Sequence, residues 1–155
     1  MPDDAGPRFL VDLMLMRLGR WLRLVGQDVA NPCGKSDSDL LRQAKKEGRT
    51  IITRDRELFR ACRAANVPCI LIRSSDVTWQ LQEMAASGIS LQLDPVRCTL
   101  CNGPLDVLTG FPEDMPRWRC RDCQKIYWRG SHWKRMQMLL QDSCSRFDAT
   151  RIAPR

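Results

Sequence analysis

The stretch RFLVDLMLMRLGRWLRLVGQDV, residues 8–29, decides the fold of this chain. It opens with a short apolar run that ends on a single carboxylate, Asp12. Apolar residues then recur at three- and four-residue spacing from Met14 onward, which predicts an amphipathic helix. Gly26 is typical of a helix end, and a second strand is expected from Asp28. The stretch therefore predicts strand, acid, helix and strand, with Asp12 at the edge where open α/β sheets bind ligands.

The same alternation of strand and helix continues along the chain. A capping-box pattern at Ser36 starts a second helix, and the apolar runs 50–53 and 69–72 each precede another helix. Strands joined by short helical connections form parallel sheets with right-handed crossovers. We therefore predict a doubly wound, Rossmann-like α/β domain flanked by helices over residues 8–92, after a loose lead-in at residues 1–7.

Composition limits the function classes. A hydrophobic content of 43% supports a packed core, and the net charge of +7 favours a polyanionic partner such as nucleic acid, although a basic surface without a partner remains an alternative. No run approaches the roughly 18 apolar residues of a membrane span. The first residues lack the apolar segment of a secretion signal, so we expect a cytoplasmic protein with metal-bound rather than disulfide-bonded cysteines.

The second half of the chain has a different character. Two Cys-x-x-Cys pairs, Cys98 with Cys101 and Cys120 with Cys123, have the spacing of a zinc site. A shell of four thiolates leaves no open coordination position, so the one zinc ion is expected to be structural. Two disulfides or free thiols are the alternative. We predict a zinc ribbon with a C-terminal helix over residues 93–141, followed by a loose segment at 142–155.

Cations alternate with aromatic residues around this zinc pattern. Such a surface suits single-stranded nucleic acid, because phosphates pair with the cations and bases stack on the rings. The alternative for each ring, Trp128 among them, is a place in the ribbon's small core. For His132, the lone histidine, a structural hydrogen bond is the alternative to a substrate contact.

Three carboxylates occupy matching places in the predicted sheet. Asp12 ends the first strand, Asp39 lies in the first turn of the helix after the second strand, and Asp55 follows the third strand. If they converge, divalent cations would offset their repulsion, and carboxylate oxygens suit Mg²⁺ or Mn²⁺. Asp39 as a helix cap and Asp55 as an ion-pair partner of a neighbouring arginine are the alternatives.

Several segments together point to a known family. These are the residues from Asp12 to Gly26, Asp39-Leu40-Leu41, Arg49 to Asp55, and the cysteine pairs ahead of Ile126-Tyr127-Trp128-Arg129-Gly130-Ser131-His132-Trp133. They resemble the Mut-seven C-terminal RNase domain, a PIN-like nuclease fold with a terminal zinc ribbon, over about residues 8–140.

The resemblance implies a metal-dependent ribonuclease that hydrolyses RNA phosphodiester bonds. Asp12, Asp39 and Asp55 match the acidic positions of PIN-type nucleases, and the four cysteines match the ribbon. PIN nucleases commonly carry a fourth acid, for which Asp37 and Asp76 compete. The expected RNA contacts are Arg17, Arg20, Arg23, Arg54, Arg119, Lys125, Trp128, Arg129, His132 and Lys134. A non-catalytic RNA-binding module with structural zinc is the alternative function. The sequence leaves open the RNA class, the mode of cleavage and the oligomeric state.

Overall fold

The computed structural model describes the backbone of residues 6–152 and the side chains of residues 6–143. Its first unit is a four-stranded parallel sheet with strands in the order β2-β1-β3-β4. The strands are β1 (Arg8–Val11), β2 (Asp28–Ala30), β3 (Thr50–Thr53) and β4 (Cys69–Leu71). The helices are α1 (Met16–Leu24), α2 (Asp37–Glu47), α3 (Arg56–Ala64) and α4 (Val77–Ala86). This architecture confirms the predicted α/β class.

The helices cover both faces of the sheet. Leu18 of α1 and Leu81 of α4 are buried in one apolar cluster, while Leu40 of α2 and Leu58 of α3 belong to the cluster on the other side. β1 and β3 contribute alternate side chains to the two clusters, as strands buried on both faces do. Because the chain turns in opposite directions from β1 to β2 and from β2 to β3, the sheet has a topological switch between β1 and β3.

The first helix begins later than the sequence predicted. Asp12 caps a short 3-10 turn, Leu13–Leu15, and the α-helix starts only at Met16. The tight turn directs Met14 outward, where 69% of its surface is exposed, so the prediction that Met14 belongs to the buried face is wrong.

The second unit is a three-stranded antiparallel sheet followed by a long helix. Its strands are β5 (Leu105–Val107), β6 (Arg117–Cys120) and β7 (Ile126–Trp128), and α5 spans His132–Ile152. The backbone of the segment predicted to be loose, 142–155, is therefore helical as far as residue 152. Residues 153–155, and residues 1–5 of the predicted lead-in, lie outside the described part of the chain.

Helix α5 packs back onto the first unit. Leu140 is buried in the same cluster as Leu81 and Met84 of α4, and Leu139 packs against that cluster. The boundary expected near residue 93 therefore separates the two sheets, but helix α5 beyond it contributes to the core of the first unit.

Candidate functional site

Asp12 and Asp55 lie at the carboxyl ends of two adjacent strands, at the topological switch of the sheet. Val11 lies opposite Ile52 in the pairing of β1 with β3, which places Asp12 beside Thr53. The Thr53 hydroxyl donates to Oδ2 of Asp12 at 2.5 Å and accepts from the backbone N–H of Asp55 at 3.0 Å. Thr53 therefore links the two acidic residues. The sequence marked it only as part of a strand.

Each of these carboxylates also caps a helical turn. Oδ1 of Asp12 accepts from the backbone N–H of Met14 at 2.9 Å, and Oδ1 of Asp55 accepts from Glu57 N at 2.8 Å. Asp12 is 6% exposed. Within residues 6–143, Asp55 forms no ion pair with Arg54 or Arg56, and its Oδ2 accepts no hydrogen bond.

Asp39 is held apart in the capping box of α2. Its backbone N–H donates to the Ser36 hydroxyl at 3.1 Å, and its Oδ2 accepts from Ser36 N at 3.3 Å. Hydrogen bonding of its carboxylate to the side chain and the backbone N–H of Ser36 lowers the pKa of Asp39. A Cβ on Gly34 would overlap the Asp39 carboxylate, so glycine is required where the preceding loop crosses it. The capping alternative for Asp39 is what the structure shows.

The three acids do not gather into a ready-made metal shell. Over the described side chains, the one group of three or more histidine, cysteine or carboxylate ligands close enough to hold an ion is the cysteine cluster. Asp76 caps α4 through Thr78 N at 2.9 Å, and Asp37 is the first residue of α2. Asp12 and Asp55 both bond to Thr53 at this edge, and a shared metal site that also includes Asp39 stays a prediction.

The four cysteines could hold a metal ion, and their geometry is consistent with zinc. The sulfur atoms of Cys98, Cys101, Cys120 and Cys123 all lie within 4.8 Å of one another. Sγ of Cys98 is 3.6 Å from Sγ of Cys123, and Sγ of Cys101 is 3.4 Å from Sγ of Cys120. A tetrahedral zinc with Zn–S bonds of about 2.3 Å places its sulfur atoms at about 3.8 Å, close to this spacing.

The backbone makes a tight turn after each of the two cysteine pairs. The residue after each second cysteine is left-handed, Asn102 with φ of 68° and Gln124 with φ of 67°. A Cβ on the next glycine, Gly103, would lie 2.9 Å from Sγ of Cys120, so only glycine fits there. Burial raises the pKa of Cys98, but hydrogen bonds from the Tyr127 hydroxyl and two backbone amides outweigh it and lower the pKa to about 6.

Arg23 joins the two units and is not available to RNA. It is 2% exposed, and its guanidinium donates to Val29 O, Thr99 O and Asn31 Oδ1, each at 2.8 Å. Burial lowers the pKa of the Arg23 guanidinium, and the nearby Cys98 and Cys101 act in the opposite direction. The prediction that Arg23 contacts RNA is therefore wrong, because the three-residue spacing from Arg17 and Arg20 did not reveal that the ribbon covers the third position.

A second set of contacts ties the ribbon to strand β2. The Asn102 amide donates to Asp28 Oδ1 at 2.7 Å and accepts from Val29 N at 3.0 Å. Asp28 also pairs with Arg49 at 2.8 Å and Arg97 at 3.6 Å. Burial raises the pKa of Asp28, but hydrogen bonds from Arg49 and Asn102 outweigh it and hold the pKa below its ordinary value.

The other predicted RNA contacts on the ribbon are exposed. Trp128 is 55% exposed, whereas Trp118 is buried and stacks on Trp133 with ring centroids 6.0 Å apart. Lys125, Trp128 and His132 line a cavity of about 290 Å³ between the ribbon sheet and α5. Arg119, Arg129 and Lys134 of this unit are also exposed, as are the predicted contacts Arg17 and Arg20 on helix α1.

Comparison with known protein families decides which family this arrangement represents. The family model described as the Mut7-C RNAse domain matches residues 7–140, which spans both sheets and helix α5 as far as Leu140. The chain belongs to the Mut7-C RNAse domain family. No curated protein and no solved structure matched this Mut7-C domain. In the part of the chain that the structure describes, no helix is long and apolar enough to cross a membrane.

Proposed function

We propose that this Mut7-C domain is a metal-dependent ribonuclease whose cleavage centre lies at the carboxyl edge of β1 and β3. The observation that carries the proposal is the Asp12–Thr53–Asp55 chain at the topological switch, in a member of an RNase-named family. A buried carboxylate that is fixed by two hydrogen bonds has its orientation set before any ligand arrives. Asp12 is such a group, and Oδ2 of Asp55 is open to a ligand.

Asp12 and Asp55 would hold a Mg²⁺ or Mn²⁺ ion, and Asp39 would join them if its carboxylate turned out of the capping box of α2. Such an ion activates a water molecule and stabilises the leaving oxygen of a phosphodiester. The roles of the protein groups follow from their contacts: Thr53 fixes the Asp12 carboxylate, and the α3 amides fix that of Asp55. Cys98, Cys101, Cys120 and Cys123 would hold one structural zinc that orders the ribbon, and the exposed cations of the ribbon together with Trp128 would bind the RNA strand.

A pair of substitutions tests the cleavage centre without dismantling the fold. Asp12→Asn keeps the shape of the side chain, and Asp55→Ser keeps a residue that caps α3 well. Both should lower Mn²⁺-dependent cleavage of a mixture of single-stranded and structured RNAs at least about a hundredfold, because metal-ion catalysis supplies several kcal/mol. Asp106→Asn is the control, since Asp106 is an exposed acid on the ribbon that pairs with Arg121.

The alternative is a non-catalytic RNA-binding module, and one observation favours it: all three acids already serve as caps. It predicts salt-dependent RNA binding with no cleavage in Mn²⁺, in Mg²⁺ or without added divalent ions. Cleavage by Asp12→Asn and Asp55→Ser at the rate of Asp106→Asn would overturn the proposed centre.

A further inference from the structure

Three arginines line one open cleft at the same edge of the sheet. Arg54 follows β3, Arg56 begins α3, and Arg73 follows the end of β4 by two residues. Together with Leu71 and Ile72 they enclose about 440 Å³. Because β3 and β4 are parallel neighbours, this cleft lies on the side of β3 away from Asp12, next to Asp55.

None of these arginines is neutralised by the protein. In the described part of the chain, no ion pair involves Arg54, Arg56 or Arg73. Asp55, which stands between two of them in the sequence, directs Oδ1 to the amides of α3. The carboxylate of Glu83 accepts from the backbone N–H groups of residues 73 and 74 and from the Ser74 hydroxyl. Asp55 and Glu83 therefore accept hydrogen bonds from backbone N–H groups, and the guanidinium groups of the three arginines form no ion pair with them.

Arg54 adds a second and independent observation. Its Nε is shielded from solvent and has no hydrogen-bond partner among the described residues. Shielded donors without an acceptor are rare in folded proteins. The side chain is thus held in the wall of the cleft without being committed to any group of the protein.

We propose that Arg54, Arg56 and Arg73 form a phosphate-binding subsite beside the acidic edge. Guanidinium groups recognise phosphate through paired, charge-assisted hydrogen bonds, and three of them around one cleft suit a single phosphate group. The identity of the ligand as RNA rests on the proposed ribonuclease function. A phosphate held here would be the neighbour of the one that reaches Asp12 and Asp55, so the subsite would set which bond is presented for cleavage.

The phosphate can come from an internal diester or from a terminal monoester, and binding assays separate the two sources. Two short single-stranded RNAs of one sequence, with a 5′-phosphate or a 5′-hydroxyl, are titrated in buffer without added divalent ions. Arg54→Gln and Arg73→Gln are compared with Arg60→Gln, an exposed arginine of α3 that does not line the cleft. Arg73→Gln alters an exposed side chain, so it carries the test if Arg54→Gln fails to fold.

Each cleft variant should weaken binding about tenfold and lower the salt slope by about 0.7, as loss of one phosphate contact on a single strand predicts. A loss confined to the 5′-phosphorylated RNA supports a terminal monoester, and equal losses on both RNAs support an internal diester. Binding of both RNAs by Arg73→Gln within about twofold of the Arg60→Gln control would overturn the subsite. The assay measures binding and not cleavage. If the cleft variants lose RNA affinity as expected but the wild-type protein cleaves no RNA, the ribonuclease proposal is overturned and the phosphate subsite is supported.

Discussion

Replacing Arg23 by methionine tests the junction between the two units. Methionine retains the aliphatic stem but removes three hydrogen bonds of 2.8 Å, to Val29 O, Thr99 O and Asn31 Oδ1. Unsatisfied buried acceptors cost about 1–3 kcal/mol each. Two of these three bonds are only part-buried and the losses are not additive, so we expect the free energy of unfolding to fall by about 3 to 5 kcal/mol.

The matched control is Arg20→Met, because Arg20 lies one turn earlier on α1 and is exposed. That change should stay within about 0.5 kcal/mol. Urea unfolding, followed through the five tryptophans of the chain with zinc bound, measures both variants. Arg23→Lys should recover less than half of the loss, because an ammonium group cannot reproduce the geometry of the guanidinium fork.

Equal midpoints for Arg23→Met and Arg20→Met would refute this reasoning. They would mean that Arg23 does not hold the ribbon against β2 in solution. A selective loss of RNA affinity by Arg23→Met, with stability unchanged, would restore its predicted role as an RNA contact.

Four further predictions follow from other contacts. Wild type should be more stable than Asp28→Asn at pH 7, because the pKa of Asp28 is lowered in the folded state. The difference should shrink as the pH falls below about 4, the unfolded pKa, and disappear only below the lowered folded pKa; a gap that stays constant through this acid range contradicts the network. Gly34→Ala should displace Asp39 and lower stability by about 1 kcal/mol through the lost cap; unchanged melting would show that the loop yields freely. Leu140→Ala should lower the free energy of unfolding, measured in urea, by about 2–5 kcal/mol, as truncations of core residues do. A loss as small as that at an exposed position would show that α5 does not pack into the core. Removing zinc with a thiol-selective chelator should destabilise both units, because Asn102 of the ribbon forms hydrogen bonds with Asp28 and Val29 of β2. Thermal unfolding should then begin at a lower temperature and span a broader range; an unchanged melting curve would show that the stability of the first unit does not depend on the ribbon.

The periodic elements of the fold could be predicted from the sequence. Their signals are local: the β-branched run 50–53 is a strand, the Ser36 pattern is a capping box, and two cysteine pairs form a four-sulfur cluster, each as expected. These features depend on backbone preference and short-range hydrogen bonds, which neighbouring residues largely determine. The presence of Asp12 at the end of a buried strand is of the same kind.

The partners of charged side chains could not be predicted in this way. The sequence grouped Arg23 with Arg17 and Arg20 as expected RNA contacts, but the ribbon covers Arg23 and buries its guanidinium. The arginine cleft has no local pattern either, since Arg54 and Arg73 are brought together by the pairing of β3 with β4.

The acidic residues at the carboxyl edge show both what the sequence could predict and what it could not. Alternating strands and helices predict a parallel sheet, so the position of Asp12 and Asp55 at its carboxyl edge was foreseeable from the chain alone. The order β2-β1-β3-β4, which makes their strands neighbours, is known only from the structure. The sequence could not decide whether Asp39 joins them. A helix cap and a metal ligand need the same residue at the same position, and they differ only in where the side chain points. Tertiary structure decides that direction: the loop at Gly34 packs on the Asp39 carboxylate and holds it in the capping box of α2.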